Sequence, residues 1–318
     1  MKNKKNIIVT SSEYQTLKDE ISFDFSLKNK TSFKIGGNAE IFFAPKTFEH
    51  LCSGLAFFTK LSVPISLLGG GTNLLIADEG IDGVILSLEH FNDIKELADN
   101  RIAVGAGVLS EELSAYSVAL SLAGFENFAY LPGTIAGALY MNARCYGSEI
   151  STTLESLRYL QFSNKTFYEC EYRYNKADWD YKKSPFQNGR DGIRLCENAR
   201  IILSACFKLE AGNKTELESL RQQRINDRIQ KGHFLKPSCG STFKNNRSFG
   251  KSSGAIIDAL GLKGLKIGDA EVAPFHANFI INNGNATARD VRALIKKIQK
   301  TVKDKSGFEL EPEVIFAG

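Results

Sequence analysis

The chain has no apolar run near the ~18 residues that a membrane-crossing helix requires, so no helical membrane span is expected. Met1 to Val9 has the lysines of a secretory signal, but only Ile7, Ile8 and Val9 as its apolar stretch, which is too short. C-x-x-C pairs are missing too. The six cysteines (Cys52, Cys145, Cys170, Cys196, Cys206 and Cys239) are scattered, with no histidine pair nearby. Neither a metal site nor a disulfide framework is therefore expected, and the thiols read as free in a reducing cytoplasm. Charge of one sign is scarce: 40 Lys and Arg face 36 Asp and Glu, a net +4. Lys296, Lys297, Lys300, Lys303 and Lys305 fall together near the end, on what reads as a solvated helix face, so no nucleic-acid partner is expected. Repeats and low-complexity segments are also absent. With 43% hydrophobic and 24% charged residues, disordered, collagen-like and coiled-coil chains are excluded. At 318 residues, the chain is long enough for two or three domains.

What is present reads as a mixture of strands and helices. The first twenty residues are polar and have no clear period. Glu40 to Pro45, Val63 to Leu68, Val84 to Leu88 and Ile102 to Val104 read as strands, and Thr47 to Lys60 as a helix. A helix is expected from Ser110, with Ser110 as N-cap, Gly124 as its stop, and Leu113, Tyr116 and Leu120 on its buried face. Leu154 to Leu160 and Ala199 to Leu209 read as strands, and Lys214 to Gln230 as a polar helix connecting domains. Lys236 to Asn246 is turn-rich, Lys251 to Leu260 helical, and His276 to Asn282 a strand. The clearest local signal is the last helix. Thr287 and Asp290 form a capping pair, and Val291, Leu294, Ile295, Ile298 and Val302 recur on one face. Leu310 to Ala317 reads as a terminal strand.

Several segments have the residue types for chemistry. Gly69-Gly70-Gly71-Thr72-Asn73 follows a strand, and three glycines let the backbone approach a phosphate closely; a tight turn would look the same. No Gly-Lys-Ser/Thr follows it, so it is not a Walker A loop. Gly105-Ala106-Gly107 with Glu126 is a partial dinucleotide fingerprint that lacks its third glycine. Pro132 to Gly137 is a nearly uncharged loop of small residues, suited to a planar ligand or to an interdomain contact. Ser238 to Asn245 clusters hydroxyls, a thiol, a cation and an amide. Since no histidine–acid pair activates Ser241 as a nucleophile, it reads as a proton donor or as part of an ST-turn. His276 reads as a core histidine. Glu311 and Glu313 share one face of the terminal strand.

In this order, these segments resemble the UDP-N-acetylenolpyruvoylglucosamine reductase (MurB) family. The resemblance rests on Thr31 to Gly37, Leu68 to Leu75, Leu131 to Thr134, Met141 to Ala143, Gly240 to Asn245, His276 to Ile280 and Leu310 to Val314. It implies an α+β chain with a two-subdomain FAD-binding region of the vanillyl-alcohol-oxidase (PCMH) type and a third, α+β substrate-binding domain. The implied boundaries are 1–83, 84–212, 213–305 and a C-terminal strand at 306–318. It further implies an NADPH-dependent flavoenzyme that acts on a UDP-sugar enolpyruvyl ether in peptidoglycan precursor synthesis, cytoplasmic and monomeric. FAD would be held by Gly69, Gly70, Gly71, Thr72, Asn73, Leu74, Pro132, Gly133, Thr134, Gly137, Asn142 and Ala143. Ser241 would donate the proton, Glu313 would stabilise the enol-like intermediate, and Lys244 and Asn245 would bind substrate.

Two departures from the family pattern stand out. The family places an arginine in a Tyr-Arg-x-Ser motif, where this chain reads Tyr181-Lys182-Lys183-Ser184. Lys182 keeps the charge and loses the bidentate fork, while a shifted register would use Arg173 instead. The downstream serine and Phe186 favour Lys182. Arg144-Cys145 follows Met141-Asn142-Ala143 where the family has small residues. A related flavoenzyme acting on small alcohols would share the glycine loop without needing the Ser241 and Glu313 segments.

Overall fold

The computed structural model describes residues 2–187 and 192–318. They divide into two compact units. The first comprises Met1–Phe25, Ala39–Gly70 and Asp82–Ile225, the second Ser26–Asn38, Gly71–Ile81 and Asn226–Gly318. The helix Lys214–Gln230 forms as expected, and the boundary between the units falls within it.

In the first unit, four strands pair in the order Ile21–Ser26, Asn38–Phe43, Ile81–Ser87, Ile65–Leu68, the last two parallel. The helix Phe48–Lys60 packs on this sheet, started by Thr47, whose Oγ1 accepts the His50 N–H at 3.1 Å. Gly54 is required in it, because a Cβ there would sit 2.4 Å from the Phe43 ring. A second sheet is antiparallel throughout, in the order Thr166–Arg173, Leu154–Ser163, Arg200–Lys208, Arg101–Gly105, Ile94–Leu97. Strand alternation buries both its faces. Ile201 and Leu203 join the core of the first sheet, while Ile202 and Phe207 join Leu113, Phe125, Leu139 and Phe186 in another.

Two local expectations in this unit are corrected. The first twenty residues form short helices, Lys2–Val9 and Ser12–Leu17, and bury Ile8 and Leu17. The helix from Ser110 ends at Ala119 and its N-cap is Leu109, because Glu112 reaches back to the Leu109 N–H at 3.0 Å. The Ser110 hydroxyl instead donates to the Gly133 carbonyl at 3.3 Å. Gly124 lies beyond a short pairing of Leu122–Ala123 with Glu210–Ala211, so it does not stop the helix.

In the second unit, an antiparallel sheet runs in the order Ser238–Ser241, Phe279–Asn282, Ala270–Val272, Lys266–Ile267. The helix Ala288–Ser306 covers it with the expected apolar stripe, and Thr287 and Asp290 cap each other's N–H groups. Asp78 also accepts from the Ala288 and Arg289 N–H groups, at 2.7 and 3.1 Å. The terminal strand is shorter than expected. Ile315–Ala317 pairs in parallel with Leu74–Ile76, and upstream of it Pro312 makes a single antiparallel bridge with Phe243. His276 sits in the turn before the strand Phe279–Asn282.

Candidate functional site

In the first unit, the strand Ile65–Leu68 ends in the exposed glycines Gly69 and Gly70. A Cβ on Gly70 would stand 2.6 Å from the Gly133 Cα, and one on Gly69 3.1 Å from the Thr134 Oγ1. Two backbone segments therefore pass at a distance only glycine permits, making a shelf of main chain without side chains. Thr134 turns its hydroxyl inward to accept the Gly137 N–H at 3.3 Å and starts the helix Ile135–Tyr140, while Pro132 is exposed. This segment is fastened from behind, by Ile135 N–H to the Val108 carbonyl at 2.8 Å and Ala136 N–H to the Ala106 carbonyl at 3.1 Å.

The other glycine pair does different work. Cβ atoms on Gly105 and Gly107 would lie 2.1 Å from the Phe91 carbonyl oxygen and 2.4 Å from that of Leu88. These glycines serve packing against their own chain, and Glu126 caps the Gly124 N–H at 2.6 Å. The partial dinucleotide fingerprint is thus accounted for without a ligand.

Asn142 follows the helix Ile135–Tyr140, which starts at Thr134. It is 1% exposed, held at φ 41°, and its Nδ2 donates to the Asp180 carbonyl at 2.9 Å. Its Oδ1 is buried without a partner, which is the mark of a group meant for something else. The turn that holds Lys182 is sewn to the same place. Ser184 Oγ donates to the Tyr140 carbonyl at 2.8 Å, and Gln187 Nε2 donates to that carbonyl at 3.1 Å and to the Lys182 carbonyl at 2.9 Å. Lys182 is half-buried at φ 57°, a left-handed backbone of the kind that concentrates at working sites. Arg173 has no such attachment: its side chain is 89% exposed, at the end of an edge strand, 3.9 Å from Glu171. Arg144 is exposed beside Glu149, Cys145 is buried in the hairpin that follows, and the Ala143 N–H donates to the Ala138 carbonyl at 2.8 Å.

The second unit holds the rest of the glycine loop and the acid–base groups. Gly71 has φ 62°, and a Cβ there would lie 1.9 Å from the Lys30 carbonyl oxygen, so it is a turn glycine. Thr72 is half-buried and Leu74 opens the strand paired with Ile315. Asn73 Nδ2 donates to the Glu313 carbonyl at 3.0 Å, and the Asn73 carbonyl accepts the Ile315 N–H at 3.0 Å.

The segments that carry Ser241, Lys244 and Glu313 are joined by main-chain pairing. The Glu313 N–H donates to the Thr242 carbonyl at 2.8 Å, and the Lys244 N–H to the Glu311 carbonyl at 2.9 Å. Lys244 Nζ lies 2.5 Å from Glu311 Oε1. Asn245 Oδ1 accepts the Ser253 N–H at 2.9 Å, which ties the segment to the helix Ser253–Ala259. Burial, and then the nearby Glu313 carboxylate, push the Cys239 thiol far up, so it stays protonated. Burial also pulls His276 down and takes His233 down to about 4, so both rings are neutral near pH 7. Among the described residues, no group of three His, Cys, Asp or Glu is placed to hold a metal ion.

Sequence reading passed over Asp180, Glu311 as the partner of Lys244, and Asn278. Asn278 had one usable signal: an amide among apolar residues must find its hydrogen bonds inside the fold.

Residues 39–166 match the family described as FAD binding domain, and residues 230–317 match UDP-N-acetylenolpyruvoylglucosamine reductase, C-terminal domain. The chain is 50% identical to the UDP-N-acetylenolpyruvoylglucosamine reductase of Treponema denticola, over 94% of each chain. It is 39% identical to the enzyme of that name from Treponema pallidum, over 92% of each. Among solved structures, it is similar to the MurB of Thermus caldophilus, with a TM-score of 0.73 and 29% identity over 94% of this chain and 98% of that one.

Proposed function

This chain belongs to the UDP-N-acetylenolpyruvoylglucosamine reductase family, and from that premise we propose that it uses NADPH to reduce UDP-N-acetyl-3-O-(1-carboxyvinyl)-glucosamine to UDP-N-acetylmuramate. It is a flavoprotein oxidoreductase of peptidoglycan precursor synthesis, with an FAD-binding region of the PCMH type. The observation that supports the chemistry best is the main-chain pairing of the Ser241–Lys244 segment with Glu311–Glu313, which joins the segment that carries the hydroxyl and the cation to the one that carries the two carboxylates.

FAD fits the residues present. The bare shelf of Gly69, Gly70, Gly133 and Gly137 would take a flat, anionic cofactor close to main-chain N–H groups, with Thr134 and Asn142 beside it. Gly71, Thr72, Asn73, Leu74, Pro132 and Ala143 complete the set we assign to it. When bound, FAD supplies a two-electron carrier between NADPH and the terminal methylene carbon of the enolpyruvyl group.

The protein's own residues handle charge and proton. Hydride addition spreads negative charge toward the substrate carboxylate, and Lys182 stabilises it. Ser241 Oγ gives its proton to the adjacent carbon. A serine is a poor acid, so Lys244 stabilises the alkoxide left behind. Glu313 supports the enol-like intermediate and steers the proton, and Asn245 binds substrate with Lys244. Within this reading, the divisions 1–83, 84–212, 213–305 and 306–318 serve as two flavin subdomains, a substrate domain and a closing strand. The protein works as a cytoplasmic monomer. NADPH oxidation that depends on the UDP-sugar enolpyruvyl ether tests the reading; oxidation indifferent to that ether would overturn it.

A further inference from the structure

Asn278 does not react, yet the geometry points to it as the positioning residue for the proton donor, acting through the Thr242–Phe243 backbone. The inference rests on the reading of Ser241 as that donor. Asn278 is 4% exposed. Its Oδ1 accepts the Phe243 N–H at 3.0 Å, and its Nδ2 donates to the Phe243 carbonyl at 2.9 Å. Its own carbonyl accepts the Thr242 N–H at 2.7 Å. One residue thus fastens the two residues that follow Ser241.

The sheet does this only in part. The pairing of Ser238–Ser241 with Phe279–Asn282 is interrupted by a register shift between Ser238 and Ser241, and Gly240 sits at φ 74°. Beyond this shift Ser241 pairs with Phe279, and the bonds to Asn278 hold the two residues that follow it. The same fastening reaches the acid, because the Thr242 carbonyl holds the Glu313 N–H at 2.8 Å. A shift at residues 242–243 would move Ser241 and Glu313 together. Displacements near 1 Å at a reacting centre cost on the order of 10²-fold in rate.

Asn278→Asp tests this, because it removes one donor and can return it. The carboxylate still accepts from the Phe243 N–H but opposes the Phe243 carbonyl; the protonated acid donates to that carbonyl as the amide did. The charged and titratable groups around it are His276, whose Nδ1 accepts the Asn278 N–H at 3.3 Å, His233, whose ring packs 6.0 Å from that of His276, the buried Cys239, the Lys244–Glu311 pair and Glu313. The wild type shares all of them, so each rate is read as the ratio of variant to wild type at the same pH. By stopped flow, reoxidation of the reduced flavin by the UDP-sugar enolpyruvyl ether should fall about tenfold or more at pH 8 and recover toward pH 5. Reduction by NADPH should match the wild type throughout. A ratio for reoxidation that stays flat with pH, or a parallel loss in both half-reactions, overturns the proposal. Should the variant unfold at pH 8, refolding at pH 5 without recovered reoxidation overturns it as well. Asn278→Ser, a milder cut, should slow reoxidation alone; equal losses in both half-reactions would again overturn it. Ser241→Ala separates the two readings. If Ser241→Ala reoxidises normally, the donor assignment fails; if it is slow while Asn278→Asp behaves as wild type, only the positioning role fails.

Discussion

Replacing Gly70 with alanine probes the flavin shelf most directly. The added methyl would lie 2.6 Å from the Gly133 Cα and 3.2 Å from the Thr134 nitrogen, both main-chain atoms. Ordinary contact begins near 3.4 Å, so the two segments must part by about 0.8 Å. Neither can yield by turning a side chain. Strain of this kind costs about 1–3 kcal/mol. If the cofactor requires the closed spacing, all of that appears in binding, and Kd for FAD should rise about 5- to 150-fold. Gly69→Ala is the graded control. Its methyl would meet the Thr134 Oγ1 at 3.1 Å, so the neighbour need give by only about 0.3 Å and the loss should be only a few-fold. The assay is titration of cofactor-free protein with FAD, followed by flavin fluorescence, with thermal unfolding of the same samples alongside. A Gly70→Ala protein that binds FAD as tightly as the wild type would refute the shelf as the cofactor seat. A fall in Tm with Kd unchanged would place the strain in the fold and away from the flavin.

Three further outcomes are expected. Ser241→Ala should leave flavin reduction by NADPH nearly intact and slow reoxidation by the UDP-sugar about 10²- to 10⁴-fold, read by stopped flow; equal losses in both steps would make Ser241 structural. Lys182→Ala should slow reoxidation on the order of 10²-fold, Lys182→Arg should be tolerated, and the exposed Arg173→Ala should do little; the reverse ranking would move the cation to Arg173. Burial holds His233 at about 4 against an ordinary 6.5, so between those values the unfolded chain binds more protons. Stability present above pH 6.5 is therefore lost as pH falls toward 4, by about 1–2 kcal/mol once screening at this partly exposed ring is allowed for. His233→Phe should flatten that loss in urea unfolding at pH 7 and pH 5, and an unchanged slope would refute it.

Local order was determined by the sequence where one short-range force dominates. The last helix shows this: the Thr287–Asp290 capping box and the stripe from Val291 to Val302 stand as expected, because both depend on neighbours three or four residues away. The same holds for Thr47 and the helix it starts. The candidate site residues could be named along the chain because the motifs that hold them, in their order, resemble those of a known family. Their relations could not. That Gly105 and Gly107 pack against Phe91 and Leu88, while Gly70 faces another glycine across open main chain, depends on which distant segment arrives. Equally, nothing in Tyr181-Lys182-Lys183-Ser184 announces that Ser184 bonds the Tyr140 carbonyl and Arg173 is left in solvent. Ser110 lost its capping role to Glu112, and Pro312 bridges Phe243 from a distant segment. Asn278 looked like one polar residue in an apolar run until Phe243, 35 positions away, supplied both partners for its amide. Hydrogen bonds and close packing act over a few ångströms, so only the folded chain decides which of the many residues able to make them are near enough to do so.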